Sequence, residues 1–216
     1  MKSLIVYDLD GTLADTREDI VISVNHMRRV LGHEPLDAGS IRKHVGQGMA
    51  HLIKNCLGTS DMKLVEKGGK IYRAYYAEHM MDHTVLYPGV REALDYFKDR
   101  RQAVITNKPN PFTRDMLEAL GVTHYFSDIV AGDSGVEKKP SPEAILTILR
   151  RENIPAGDAL FVGDSLVDIE TGRNAGVEVV VVPHGFTAED ELKSASPDAL
   201  VSDFRAFLAL ARAKGW

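Results

Sequence analysis

At 216 residues the chain has the length for one sizeable core, or for one core with a small accessory domain. Its formal charge of −5 is spread along the sequence, without the basic stripe that a nucleic-acid surface needs. The single cysteine, Cys56, excludes an intrachain disulfide; it falls in an apolar pattern with Leu52 and Ile53 and is expected to be a core thiol. No apolar run approaches the length of a membrane span. Met1-Lys2-Ser3 leads directly into a strand-like run with no signal-peptide pattern. The expected setting is therefore cytoplasmic, as a monomer or homodimer, with a small molecule as partner rather than nucleic acid or membrane.

In chain order, the first strand spans Leu4–Asp8 inside "SLIVYDLDGTLADT". Residues 16–82 then contain helical patterns and no convincing strand. Ile20, Val24, Met27 and Leu31 recur at helical spacing and stop at Gly32. Leu52, Ile53, Cys56 and Leu57 stop at Gly58. Leu64, Ile71, Tyr72 and Tyr75 mark a longer helix beginning near Ser60 or Asp61, weakened in its middle by Gly68-Gly69. From residue 83 onward strands and helices alternate. Val90, Leu94 and Phe97 form a helical stripe before a strand over Gln102–Thr106. Phe112, Met116 and Leu120 form the next, ended by Gly121, before a strand over Asp128–Ala131. Ser141-Pro142 starts a helix carrying Ile145, Ile148 and Leu149. Strands over Ala159–Gly163 and Glu178–Val182 follow. Near-continuous apolar strands between helices predict an α/β fold: a doubly wound, Rossmann-like parallel sheet. The expected core covers residues 1–15 and 83–216, with a helical insert over 16–82.

Ligands of such a sheet bind beyond the carboxyl ends of its strands. The residues there are Asp8, Asp10, Gly11 and Thr12 after the first strand, and Thr106, Asn107 and Lys108 after the second. Lys138 and Lys139 precede a helix, and Gly163, Asp164, Ser165 and Asp168 follow a later strand. Taken singly, each acid reads as a cap or turn former and each lysine as a solvated side chain. Together they place acids and lysines at one sheet edge. If the first strand runs through Leu9, Asp8 and Asp10 share a face and repel each other. Converging Asp8, Asp10 and Asp164 require compensation, which a hard divalent ion with oxygen ligands supplies. The Gly11-Thr12 turn offers amides to an anion, Thr106 a hydroxyl, and Lys139 a charge. The pattern describes a phosphate site with one Mg²⁺. In the insert, Gly46 and Gly48 permit a close approach to a ligand, and Arg42 is the best candidate for a substrate carboxylate. The eight histidines show no metal-ligand spacing; His26, His79, His83 and His184 are expected on the surface or in packing.

"DLDGT" at 8–12, "TN" at 106–107, Lys139 in "KKPSPE" and "GDSLVD" at 163–168 resemble, in order and spacing, the four motifs of the haloacid dehalogenase superfamily of phosphotransferases. "LYPGV", "TNKPNPF", "LEALGV" and "IRKHVGQGMAHLI" look most like the bacterial phosphoglycolate phosphatases of that superfamily. The resemblance implies that the insert is a mobile cap and that Asp8 is a nucleophile forming an aspartyl-phosphate. Asp10 would be the general acid, then the base. Mg²⁺ would be held by Asp8, the Asp10 carbonyl and Asp164, with Asp168 behind them. Thr106, the Asn107 backbone and Lys139 would hold the phosphoryl group. Within the superfamily a pyrophosphatase, a nucleotide monophosphatase and a sugar phosphomutase are the alternatives to a phosphoglycolate phosphatase. Outside it, a phospho-accepting receiver domain uses similar residues on a similar sheet.

Overall fold

A computed structural model describes residues 1–216. The chain begins with β1 (Leu4–Tyr7) and the short β2 (Ala14–Asp15). Four helices follow: α1 (Arg17–Val30), α2 (Ala38–Arg42), α3 (Met49–Leu57) and α4 (Met62–His79). Next come β3 (Val85–Leu86), α5 (Val90–Tyr96), β4 (Arg101–Ile105), α6 (Phe112–Ala119) and β5 (Asp128–Val130). The chain finishes with α7 (Glu143–Glu152), β6 (Ala159–Gly163), α8 (Leu166–Ala175), β7 (Glu178–Val181), α9 (Glu189–Ser194), β8 (Ala199–Leu200) and α10 (Phe204–Lys214).

Six strands form one parallel sheet in the order β5-β4-β1-β6-β7-β8. Counting only these strands, that is 3-2-1-4-5-6, the doubly wound order in which the winding reverses beside the first strand. β1 lies in the middle, and its successive side chains enter opposite cores. Ile5 and Tyr7 pack with Leu94, Phe97, Phe204 and Phe207 on one face. Leu4 and Val6 pack with Ile145, Ile148 and Leu149 on the other. Covering both faces explains why these strands read as continuous apolar runs.

The sequence did not signal β2, β3 or β8, each only two residues long. β2 and β3 pair antiparallel, Ala14 with Leu86 and Asp15 with Val85, where the chain leaves and re-enters the sheet-bearing part. Asp19, buried on α1, fastens the same junction. It accepts hydrogen bonds from the Thr84 amide (2.9 Å), the Thr84 hydroxyl (2.7 Å) and the His83 amide (3.1 Å). It also pairs with His83 Nδ1 at 2.8 Å, and that hydrogen bond raises the imidazole pKa.

In α4 the buried face is Val65, Gly68, Gly69, Tyr72 and Tyr76. Of the residues that mark this helix in the sequence, Tyr72 is on that face, and Leu64, Ile71 and Tyr75 are half-buried at its edge. The helix runs through both glycines, and Gly68 is where its neighbours come closest. A Cβ on Gly68 would sit 2.9 Å from Leu57 and 3.1 Å from the Met27 sulfur, so α1 and α3 approach α4 there. Cys56 is buried and unpaired, as expected, and burial pushes its thiol up to about 11. No helix is long and apolar enough to cross a membrane. Asp19→Ala leaves the buried Thr84 amide without an acceptor and is expected to cost roughly 1–3 kcal/mol, read by urea unfolding.

Candidate active site

β1 stops at Tyr7, before the two acids. Gly11, at φ +81°, turns the chain so that its amide reaches the Ala14 carbonyl at 2.9 Å. Asp8 and Asp10 therefore diverge instead of sharing a strand face, and each meets its own lysine. Asp8 Oδ1 lies 2.9 Å from Lys139 Nζ and accepts from the Leu9 amide at 2.7 Å; Oδ2 accepts no hydrogen bond within the chain. Asp10 Oδ1 accepts from Lys108 Nζ at 2.9 Å.

Lys139 is 6% exposed, and its ammonium lies between Asp8 and Asp168 Oδ1, the latter 2.7 Å away. Burial draws the lysine pKa down, but Asp168 and Asp8 outweigh it and raise the pKa overall. Asp168 Oδ2 accepts from the Ser165 hydroxyl at 2.6 Å and from the Ser165 and Asp164 amides, as part of the capping box that opens α8. Every oxygen of Asp168 is thus engaged in holding Lys139 and the turn after β6.

Asp164 directly follows β6, the neighbour of β1, and is 1% exposed. Its oxygens accept from the Thr12 hydroxyl (2.8 Å) and the Phe186 amide (2.8 Å), and no cation pairs with it. A Cβ on Gly185 would lie 2.0 Å from Asp164 Oδ2, so only glycine lets this loop bring the Phe186 amide so close. Oxygens of Asp8, Asp164 and Asp168 lie within 4.8 Å of one another. Burial, reinforced by the neighbouring carboxylates, raises Asp164 well above the usual carboxylate range. Burial likewise raises Asp8, to about 6, despite Lys139. Three carboxylates against one ammonium leave two negative charges uncompensated. An all-oxygen donor set with that deficit suits a hard divalent cation. The Asp10 carbonyl, beside this group, accepts no hydrogen bond within the chain.

A cavity of about 50 Å³ opens beside Asp8 and Asp10. Thr106, Asn107, Lys108 and Phe112 line its sheet side, and Ile20, Gly46, Gly48, Met49, Leu52, Tyr72 and Tyr76 its helical side. The Asn107 side chain ties three segments together. It donates to the Gly46 carbonyl (2.9 Å) and the Lys139 carbonyl (3.0 Å), and accepts from the Lys139 amide (3.0 Å). The amides of Asp10 and Asn107 make no hydrogen bond within the chain. Those of Gly11 and Thr12, expected to face an anion, are consumed by Ala14 and Leu9 in the turn. The Thr12 hydroxyl serves Asp164 instead. Arg42 does not reach the cavity. It lines a separate surface cleft with Asp15, Arg17, Glu18 and His83, because α2 ends before the loop that carries Gly46 and Gly48 inward.

Tyr76, Gly185 and Phe186 were missed by sequence reading. Tyr76 is not among the residues that mark α4 in the sequence, and the Gly185-Phe186 loop follows a strand but lacks a charged side chain. His184 packs on Tyr87, His26 stacks on Tyr75, and neither approaches the acids.

Residues 5–182 match the family described as haloacid dehalogenase-like hydrolase. The chain belongs to that family. A phosphoglycolate phosphatase of Nitrosospira multiformis is 36% identical over 204 residues, 91% of this chain and 90% of the relative. One from Pseudomonas savastanoi pv. phaseolicola is 34% identical over 214 residues, 95% of this chain and 78% of the relative. Among solved structures, one described as a predicted phosphoglycolate phosphatase of Haemophilus somnus superposes with a TM-score of 0.92 at 27% identity, covering 97% and 98% of the two chains. Membership of these hydrolases accords with the convergence of all four sequence segments at the β1–β6 end of the sheet.

The raised carboxylates have a consequence for stability. Folded Asp8 and Asp164 keep protons at pH values where the unfolded chain has lost them, so their contribution is present at low pH. It is lost as pH rises, through about 6 for Asp8. Without divalent ions, Asp164→Asn is expected to resist urea better than wild type at pH 8, with the gap closing towards pH 5. The amide can still accept from Phe186 and donate to the Thr12 oxygen.

Proposed function

We propose that the chain is a Mg²⁺-dependent phosphomonoesterase that works through an aspartyl-phosphate on Asp8, with 2-phosphoglycolate as substrate. The observation that carries this reading is the separation of two adjacent acids into different surroundings. Both line the cavity, but Asp8 is paired with Lys139 and crowded by Asp164 and Asp168, whereas Asp10 lies outside that cluster and pairs with Lys108. Such a division assigns one carboxyl as nucleophile and the other as proton carrier. The relatives named phosphoglycolate phosphatase support the choice of substrate.

Asp8 attacks phosphorus, and the departing alcohol takes a proton from Asp10. Asp10 then accepts a proton from the water that cleaves the aspartyl-phosphate. Thr106, the amides of Asp10 and Asn107, and Lys139 hold the phosphoryl oxygens, so that catalysis is chiefly positioning and charge stabilisation. Asp8, Asp164 and the Asp10 carbonyl would hold Mg²⁺, which supplies positive charge to the phosphoryl group. Asp168 acts through Lys139 and the turn that carries Asp164. Residues 16–82 serve as a cap whose apolar wall excludes water from the reacting groups.

Asp8→Asn is expected to abolish turnover with the fold retained, as judged by phosphate release and circular dichroism. Asp10→Asn is expected to slow hydrolysis of 2-phosphoglycolate by ~10²–10⁴-fold. Its effect on p-nitrophenyl phosphate, whose leaving group needs little protonation, should be much smaller. The Mg²⁺ concentration giving half-maximal rate should rise as pH falls through about 6, because protons on Asp8 compete with the ion. Initial rates on 2-phosphoglycolate, pyrophosphate, nucleoside monophosphates and sugar phosphates test the substrate. A higher kcat/KM on any of the others would overturn it.

A further inference from the structure

We infer that Lys108, held in place by Tyr76, is the receptor for an anionic group on the leaving alcohol, and so selects short phosphate esters that carry a carboxylate. This rests on the phosphomonoesterase reading above and assigns what discriminates among its substrates.

Lys108 is the one cationic residue lining the cavity. The helical side contributes Ile20, Val45, Met49, Leu52 and Tyr72, none of them charged. A carboxylate entering such a space loses its hydration and gains nothing unless a cation meets it. Lys139 does not line the cavity; its ammonium lies between Asp8 and Asp168, beside the nucleophile. Lys108 is 8% exposed and is fixed from two directions. Its Nζ donates to the Tyr76 hydroxyl at 2.7 Å and to Asp10 at 2.9 Å, and it lies 4.6 Å from the centre of the Tyr76 ring. The ammonium thus adjoins the acid that must touch the ester oxygen. In a two-carbon acid the carboxylate oxygens stand only three bonds from that ester oxygen, so one substrate reaches Asp10 and Lys108 together. Tyr76 belongs to α4 and Lys108 follows β4, so the receptor is complete only when the helical insert is seated as it is here.

The test compares kcat/KM for 2-phosphoglycolate and 2-hydroxyethyl phosphate, which differ by a carboxylate against a neutral hydroxymethyl group. Wild type should prefer the first by roughly 10–100-fold, the worth of one charge-assisted hydrogen bond. Lys108→Met should abolish that preference, mainly through KM for 2-phosphoglycolate. Tyr76→Phe keeps the ring and should reduce the preference in the same direction. If Lys108→Met slows both esters by the same factor, the lysine only positions Asp10 and the assignment fails, leaving the substrate reading intact. If wild type hydrolyses neither ester, or favours the neutral one, the substrate reading itself fails.

Discussion

The buried ammonium of Lys139 is the contact on which the carboxyl end of the sheet depends. It lies between Asp8 and Asp168, and no other cation reaches the three crowded carboxylates. A buried ion pair is stable only when the remaining lone pairs and protons are satisfied, and the surroundings here do that. Asn107 grips both the amide and the carbonyl of Lys139, and the capping box of α8 engages the other oxygen of Asp168. The lysine is therefore immobilised along its backbone and at its tip. What it leaves uncompensated, at Asp164, is where a cation has most to gain.

The second lysine divides the labour differently. Lys108 joins an acid of the sheet to a phenol of the helical insert, whereas Lys139 touches only residues of the sheet-bearing part. The two adjacent acids are thereby placed under separate control. One is governed by permanent structure and the other by a contact that spans two parts of the molecule. β1 ends at Tyr7, and the turn that closes on the Leu9 carbonyl takes over from the strand before it could bring both carboxylates to one face.

Much of this was legible before any coordinates. Apolar runs alternating with helical stripes specified the sheet, because a strand covered on both faces has no polar side to confuse the pattern. Reading the residues just past each strand found Asp8, Thr106, Asn107, Lys139 and Asp164, since the doubly wound order itself brings those ends together. Failures arose where placement depends on packing rather than period. Tyr75 marks the helix in the sequence and Tyr76 does not, yet Tyr76 lies on the buried side of α4 where Gly68 lets α1 and α3 approach. Arg42 has suitable chemistry but sits on the short helix before the inward loop. The Gly11 and Thr12 amides look available in a sequence and are spent closing a turn. The Phe186 amide carries no side-chain signature, and its role at Asp164 emerges only from the proximity that Gly185 allows.

The β2–β3 ribbon has a mechanical meaning. Because outgoing and returning chains are zipped to each other, they form a single strap rather than two independent tethers. Such a strap couples the two crossings, so the register at which the chain leaves the sheet also sets the register at which it returns. The Tyr76 phenol on Lys108 and the Gly46 carbonyl on Asn107 are two further contacts between the same two parts, so three separate points hold the helices over the sheet edge.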